Sequence, residues 1–330
     1  MGRLLSRFST LILLSGILLL TPTRASADGG SAPATGSLVV AVDMGAARST
    51  QLLAIHVGQP PHVLVTVPAP IKGLAASPRG RYVALAAGAR GLWLLNVDGT
   101  GLRRIASVPR SGSGTLEVAA VAWSPDRYTI AYIVDDGNVS RPMDRSAGIW
   151  TIRYDGGMPR QVAHGDFGRA GTPATSLSWS SEGRTIVAVG RAGVTAIDAA
   201  TGRARVLAAQ DTSDGSVQAA AAASTATTVC YVRLLAGSQA IAYTLYVADA
   251  DGGHARRLLQ ISNTITSPAW APDGRSIAYL WQHGPTEGGY RSPVEIHAVD
   301  VASGRTRVLL GPRASNQGAI QSFAWLPVKS

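Results

Sequence analysis

Two polar segments of the chain carry side chains that could bind a charged or hydrogen-bonding partner. The first segment, residues 135–147, contributes Asp135, Asp136, Arg141, Asp144 and Arg145. The second segment, residues 283–293, contributes His283, Glu287, Tyr290 and Arg291. Hydrogen bonds of ionised side chains are strong, so the segments would form a two-sided polar clamp if the fold placed them face to face. The alternative is that both are tolerated insertions, because extra loop length costs little closure entropy.

No short motif in the sequence indicates a catalytic or cofactor site. There is no G-x-S-x-G elbow, no phosphate-binding glycine loop and no H-E-x-x-H zinc pair, and the six histidines are scattered. Asp249 and Asp251, with the glycines after them, resemble the start of a calcium loop, but similar turns recur along the chain and a hairpin turn explains them all. We therefore predict no catalytic residue, no metal site and no cofactor. A site assembled in space from several elements stays open.

Two sequence patterns alternate along the chain, and they predict the secondary-structure elements that must position these two polar segments. One pattern reads LAASPRGRYVAL at 74–85, VAWSPDRYTIAYI at 121–133, LSWSSEGRTIVAV at 177–189 and PAWAPDGRSIAYL at 268–280. The other begins with GLWLLNVDGTGLRRI at 91–105 and recurs up to EIHAVDVASGRTRVLL at 295–310. Each pattern has two runs rich in β-branched and aromatic residues around a Pro/Asp/Gly turn, which predicts a β-hairpin. Two hairpins make a four-stranded blade.

Six copies of the first pattern set the number of blades. Each copy has a proline, or in two copies a serine, at the same place in its turn: Pro78, Pro125, Ser181, Ser224, Pro272 and Pro327. These positions are 43 to 56 residues apart, a spacing that suits propeller blades. The last copy is one strand long, whereas three unpaired strand-like runs, SLVVAVD, QLLAIHVG and HVLVTV, stand near the N-terminus. We therefore predict an all-β, six-bladed β-propeller of four-stranded antiparallel blades over residues 37–330, closed by pairing the C-terminal strand with N-terminal strands. In such a ring the two polar segments belong to opposite blades, the third and the sixth.

The W-S-P-D-G-R, I-A-Y and D-G-G patterns resemble the propeller repeats of the TolB family. The resemblance covers residues 37–327 and concerns the propeller part alone, since residues 28–36 are too few for the α/β domain that precedes the propeller in that family. In one repeat, Arg127 replaces the glycine that follows the Pro/acid pair. We expect this turn to be strained or built differently.

The N-terminal segment has the features of an export signal. Arg3 and Arg7 precede an apolar run over 8–20, and small residues at 25–27 offer a cleavage site. Because the run is shorter than the ~20 residues that a membrane-spanning helix needs, we predict a cleaved signal peptide over 1–27 and a linker over 28–36. An uncleaved anchor is the alternative. The mature protein would be periplasmic or secreted, without a transmembrane span.

The formal net charge of +10 comes almost entirely from arginine. Many of the arginines follow the turn of the second hairpin, on the predicted outermost strand of each blade: Arg103, Arg104, Arg160, Arg203, Arg205, Arg256, Arg257, Arg305 and Arg307. Charges there discourage edge-to-edge aggregation; the alternative is a positive belt that attracts anionic lipids or envelope polymers. Export and the lack of basic residues interleaved with aromatics argue against nucleic acid.

Two further residue sets are assigned to the core. Trp123, Trp179, Trp270 and Trp325 share one slot of the repeat, which favours packing between blades over a ligand-stacking role. Cys230, the single cysteine, allows no internal disulfide and lies in an apolar stretch, which favours a buried, inert thiol.

These observations together favour a non-catalytic binding module. We expect a monomer that recognises an envelope or extracellular protein, or an anionic envelope polymer, through the loops on the funnel face of the ring. The alternative is a small-ligand-binding protein or a lyase- or lactonase-type propeller enzyme, whose site in the central funnel would draw residues from different blades and leave no linear motif.

Overall fold

The computed structural model describes residues 36–45, 48–56, 59–110, 116–136, 143–167, 176–213, 215–236, 241–282, 293–313 and 318–327. These ranges contain 25 β-strands that form six antiparallel sheets. Within them no helix is long and apolar enough to cross a membrane.

The first three sheets are built from the N-terminal half of the chain and its last strand. Blade 1 contains β1 (Ser37–Asp43), β2 (Thr50–His56), β3 (His62–Val67) and β25 (Ala319–Leu326). Blade 2 contains β4 (Gly73–Ala76), β5 (Tyr82–Ala86), β6 (Leu92–Asn96) and β7 (Arg103–Ala106). Blade 3 contains β8 (Glu117–Trp123), β9 (Thr129–Asp135), β10 (Gly148–Arg153) and β11 (Arg160–His164).

The other three sheets follow in chain order. Blade 4 contains β12 (Leu177–Trp179), β13 (Thr185–Gly190), β14 (Gly193–Asp198) and β15 (Ala204–Ala209). Blade 5 contains β16 (Asp211–Thr212), β17 (Gly215–Ala222), β18 (Thr228–Ala236), β19 (Ile241–Asp249) and β20 (Arg256–Ile261). Blade 6 contains β21 (Thr264–Trp270), β22 (Ser276–Gln282), β23 (Val294–Asp300) and β24 (Thr306–Leu310). The short β16 makes blade 5 five-stranded, one strand more than the repeat predicts.

The ring closes as the sequence predicts. The C-terminal strand β25 pairs antiparallel with β1, in a register that runs from Ser37 opposite Leu326 to Asp43 opposite Ala319. The innermost strands β25, β4, β8, β12, β17 and β21 contact one another in that cyclic order. Blade 1 therefore draws three strands from the start of the chain and its innermost strand from the end.

Six apolar clusters fill the spaces between neighbouring blades, one at each interface. Successive side chains of a strand point to opposite faces, so one strand serves two interfaces. In β1, Val39 and Ala41 pack against blade 2, whereas Leu38 and Val40 pack against blade 6. This double burial explains why the inner strands read as nearly continuous apolar runs rather than as alternating ones.

The outermost strand of every blade has a β-bulge opposite the strand beside it. The extra residue is a branched apolar one in all six cases: Leu64, Ile105, Val162, Leu207, Leu258 and Leu309. Its carbonyl can approach the hairpin turn of the next blade closely. A Cβ atom added to Gly99 would lie 2.6 Å from the Leu64 oxygen, and one added to Gly202 would lie 2.3 Å from the Val162 oxygen. The glycines of these turns thus permit neighbouring blades to pack.

Several arginines of the outer strands form hydrogen bonds to the following blade. This role differs from the two predicted from the sequence, edge protection and a positive belt. The donors at four successive junctions are Arg103, Arg160, Arg205 and Arg256, and the acceptors are backbone oxygens of the following blade, including those of Tyr154, Ala199, Asp251 and Val301. Register places these four arginines at the same position of each fourth strand. Part of the basic surplus is therefore structural.

Candidate functional site at the mouth of the central channel

The six innermost strands surround a central channel. They begin on one face of the ring, which we call the funnel face, and end at the proline turns on the other, which we call the turn face. A cavity of about 430 Å³ opens on the funnel face; we call it the mouth. Every blade contributes to its lining, through residues such as Lys72, Glu117, Ser176, Ala220, Ser267 and Gln321.

Four of the innermost strands bulge at the level of the mouth. The extra residue is Ala119 in β8, Gln218 in β17 and Gln321 in β25, and in β21 the pair Ser267–Pro268 stands opposite the single Tyr279. A bulge re-aims a side chain and is common beside binding and active sites. Three of the four bulges contribute residues to the lining of the mouth.

The Ser267–Pro268 bulge places a polar residue in an uncommon backbone conformation. Ser267 has a φ of 51°, in the left-handed region that residues other than glycine, asparagine and aspartate rarely adopt. It also precedes a proline, which normally favours an extended backbone. Strained residues persist where the surrounding structure imposes them, and they concentrate at functional sites.

Within the described ranges, the charged residues that line the mouth belong to blades 2 and 3. Lys72 Nζ lies 3.0 Å from Glu117 Oε1 and joins the two blades, and the two side chains are 46% and 29% exposed. Asp135 is the register partner of Glu117 and lines the same cavity. Among the described residues, the lining of the mouth thus combines one ammonium group with two carboxylates.

The structure places four of the nine predicted clamp residues. Asp135 lies in the mouth, but Asp136 is buried and its carboxylate accepts a hydrogen bond from the backbone of Asp144 at 3.1 Å. Asp144 in turn accepts a bond from the Ser146 amide, so this part of the segment is engaged in holding its own loop. Arg145 is exposed, and its backbone oxygen accepts a bond from a glutamine side chain.

The other clamp residues lie outside the described residues: Arg141, His283, Glu287, Tyr290 and Arg291. The opposition of the two segments across the ring therefore stays a prediction. Sequence reasoning missed Lys72, which precedes an innermost strand, Glu117, which begins one, and Gln321, which lies near the start of one. Their position a few residues before each proline turn was the available signal, because those residues must all face one end of the channel.

The tryptophans of the shared slot pack between blades, which confirms their prediction as core residues. All four are buried, with 7% to 8% of their surface exposed. Trp179, Trp270 and Trp325 each point an indole N–H at an inner-strand oxygen of the preceding blade, at 3.2–3.4 Å. Together with prolines of the turns they line a second, more apolar cavity of about 400 Å³ at the turn-face end of the channel.

The remaining candidate groups have local structural roles. Asp251 Oδ1 accepts the amide hydrogen of Gly253 at 2.8 Å, and Asp249 Oδ2 lies 2.7 Å from His254 Nδ1, so this stretch is a hairpin turn as predicted. The hydrogen bond to the Asp249 carboxylate raises the pKa of His254. Burial raises the pKa of the Cys230 thiol to about 12, as expected for an inert buried thiol. In the described part of the chain, no three His, Cys, Asp or Glu residues are grouped so as to hold a metal ion.

Comparison with known proteins gives the class of the fold first. No family model matches the chain. Among solved structures, TolB from Acinetobacter baumannii superposes with a TM-score of 0.63 at 16% identity and covers 89% of this chain and 67% of its own. A chain of a nidogen/laminin complex superposes with a TM-score of 0.60 at 13% identity, over 89% of this chain and all of that one. At such identities the likeness shows the fold alone, a six-bladed β-propeller.

The sequence comparison narrows this class to TolB-like repeats. The chain is 43% identical over 74 residues to the Tol-Pal system protein TolB of Polaromonas naphthalenivorans. This match spans 22% of the present chain and only 16% of the relative's length. The chain is thus a TolB-like β-propeller repeat protein, as its sequence patterns indicate.

Proposed function

We propose that the chain is an exported, non-catalytic binding module whose mouth receives a polar segment of an envelope protein. The observation that carries the proposal is the mouth itself. All six blades supply its lining, bulged inner strands shape it, and the charged groups of its described lining lie on one side. Loops and strand ends on one rigid scaffold are the usual place for recognition in such folds.

The charge of the mouth supports a protein partner over an anionic polymer. The described part of the lining holds two carboxylates and one lysine, a set that attracts a cationic group and disfavours a densely negative chain. A lysine or arginine of the partner would replace Lys72 as the neighbour of Glu117. The name of the curated relatives, Tol-Pal system proteins, agrees with an envelope partner.

A photo-crosslinking experiment tests this proposal. A benzophenone amino acid placed at the exposed Gln321 should capture one defined protein from an envelope fraction of the organism that encodes the chain. The same group at Val206, which is 46% exposed on an outer strand, should not capture it. Equal capture at both positions, or none at Gln321, would contradict binding at the mouth.

A charge variant sharpens the test. Glu117→Gln removes one carboxylate of the mouth and should reduce capture at position 321 several-fold, because a buried or half-buried charge pair is sensitive to loss of one partner. Glu182→Gln removes an exposed carboxylate on the turn face and serves as the control. Circular dichroism spectra identical to that of the parent protein would show that both variants fold.

Export is a separate part of the proposal. A signal peptide over residues 1–27 would be removed during secretion, so the mature protein should begin at Asp28. The intact mass and N-terminal sequence of the protein recovered from outside the cytoplasm would test this. A product that retains Met1 in the membrane fraction would instead support an uncleaved anchor.

A further inference from the structure

A second concave surface lies on the turn face, at the opposite end of the ring from the mouth. It is a cleft of about 940 Å³ between the proline turns of blades 1, 2 and 3, and we call it the arginine cleft. Its lining includes three guanidinium groups and three proline rings: Arg79, Arg81, Arg127, Pro78, Pro125 and Pro327. The volume lies within the range of ligand-binding clefts.

The arginine cleft is positively charged and its one acid is already engaged. Asp98 Oδ1 accepts hydrogen bonds from the backbone and the hydroxyl of Thr100, which lower its pKa and tie it to its own turn. In the described ranges, the ion pairs involve other residues and none includes Arg79, Arg81 or Arg127. Three exposed guanidiniums thus surround the cleft without an acidic partner in the described structure.

Arg127 occupies a position where the copies of the turn in blades 2, 4 and 6 have glycine. Its φ is 73°, close to the 62° to 68° of Gly80, Gly183 and Gly274, and its amide makes the same hydrogen bond to the residue three before it. The turn is therefore built as in blades 2, 4 and 6, and the strain expected from the sequence resides in the Arg127 backbone. An arginine kept at a costly position, beside two others across a cleft, points to a use for its charge.

We propose that the arginine cleft binds an acidic peptide segment of a partner protein. Guanidinium groups match carboxylates in geometry and can bind them through two parallel hydrogen bonds. The proline rings of the lining are apolar without being aromatic, which suits the aliphatic stems of a peptide. The site lies on the other face from the mouth, so it does not depend on the function proposed above.

The aromatic contacts disfavour nucleic acid or sugar at this site. Bases bind single-stranded nucleic-acid sites by stacking on open aromatic faces. The one aromatic residue of the lining is Tyr82, whose ring is stacked with Trp123 at 6.2 Å and lies under the guanidinium of Arg81 at 6.0 Å. Tyr154 is also in contact with that ring, at 5.5 Å. The cleft thus offers charge and aliphatic surface rather than a free ring.

Fluorescence anisotropy with a labelled hexaglutamate peptide tests the proposal. The protein should bind this peptide and not hexaglutamine, and binding should weaken with added salt, as for any charge-dependent site. The double variant Arg79→Gln with Arg127→Gln should weaken binding at least about tenfold, the size of effect expected from losing hydrogen bonds to charged groups. Loss of the fold would be detected by circular dichroism.

A matched control separates the cleft from general charge attraction. Arg275→Gln changes an exposed arginine at the position equivalent to Arg81 in blade 6, and should leave the affinity unchanged. Glu117→Gln at the mouth should also leave it unchanged, which distinguishes failure here from failure of the proposed function. Equal effects of Arg275→Gln and the double variant would overturn the proposal.

Competition decides the class of ligand. Unlabelled polygalacturonate or inorganic phosphate, at the same concentration of negative charge, should displace hexaglutamate less well than unlabelled hexaglutamate does. Stronger displacement by the polysaccharide would overturn the assignment of a peptide and indicate an anionic glycan. Stronger displacement by phosphate would indicate a simple anion site.

Discussion

The indole nitrogen of Trp325 lies 3.4 Å from the backbone oxygen of Ala269, so the last strand of the chain is joined to the inner strand of blade 6. Trp179 and Trp270 make the equivalent contact with the blades before them. The same atom of Trp123 has no hydrogen-bond partner in the described ranges. The four tryptophans have nearly equal burial. Comparing substitutions at these positions therefore separates the contribution of the hydrogen bond to stability from that of packing.

Replacement of Trp270 by phenylalanine should destabilise the protein more than the same change at Trp123. Both substitutions remove a similar buried volume, since each tryptophan is 8% exposed, but only Trp270→Phe removes a made hydrogen bond and leaves an oxygen without its donor. We expect an additional loss of about 1 kcal/mol. Urea denaturation monitored by circular dichroism measures the difference, and equal losses would show that the bond contributes nothing.

Deletion of residues 319–330 should open the ring. The deletion removes β25, exposes the edge of β1 to pairing with other chains and uncovers apolar surface in the clusters on both sides of blade 1. We expect a lower melting temperature and association into oligomers, measured by calorimetry and by light scattering after size-exclusion chromatography. Deletion of residues 328–330 alone is the control. A monomer with unchanged melting temperature after the longer deletion would contradict the closure.

Replacement of Arg127 by glycine should stabilise the protein by about 1 kcal/mol, since the left-handed backbone costs glycine little and other residues roughly 1–3 kcal/mol. The reverse change, Gly183→Arg, puts an arginine at the same turn position in blade 4 and should destabilise by a similar amount. Urea unfolding of both variants measures the effects. No gain from Arg127→Gly would show that the surrounding bonds, including those to Asp126, fully relieve the strain.

The stability of the protein should decline in alkaline solution through Cys230. Burial raises the thiol pKa from 9.0 to about 12, so the folded protein keeps a proton that the unfolded chain releases above pH 9. Stability contributed by the neutral thiol is therefore complete below pH 9 and is lost as the pH rises toward 12. Cys230→Ala should show a smaller decline over this interval when urea midpoints are compared. Parallel declines in both proteins would contradict the assignment.

Thiol labelling provides an independent check on the same residue. At pH 8 an aromatic disulfide reagent should not react with the folded protein, because the thiol is both buried and protonated. In urea above the unfolding midpoint it should react fully. Rapid labelling of the folded protein would mean that blades 5 and 6, which pack around Cys230, separate readily.

The sequence by itself determined the blades and the order in which they form the ring. Proline turns such as those at Pro78 and Pro125, and the apolar runs beside them, are local patterns, and local patterns decide where a chain forms hairpins. The single strand at 319–326 and the three strands at 37–67 could be matched because an incomplete blade leaves unpaired backbone groups. The burial of the repeated tryptophans followed from their shared position in the repeat, which favours packing between blades.

Only the tertiary structure decided which residues meet around the axis. Lys72 and Glu117, or Arg79 and Arg127, lie in neighbouring blades, and their proximity depends on how far each sheet is twisted and rotated against the next. The bulges at Gln321 and Ser267 follow from pairing register, which no local pattern specified. Contacts between blades are set by packing of whole sheets. The sequence therefore indicated the funnel face and Asp135, but not the other residues of the mouth, the arginine cleft or the arginine bonds between blades.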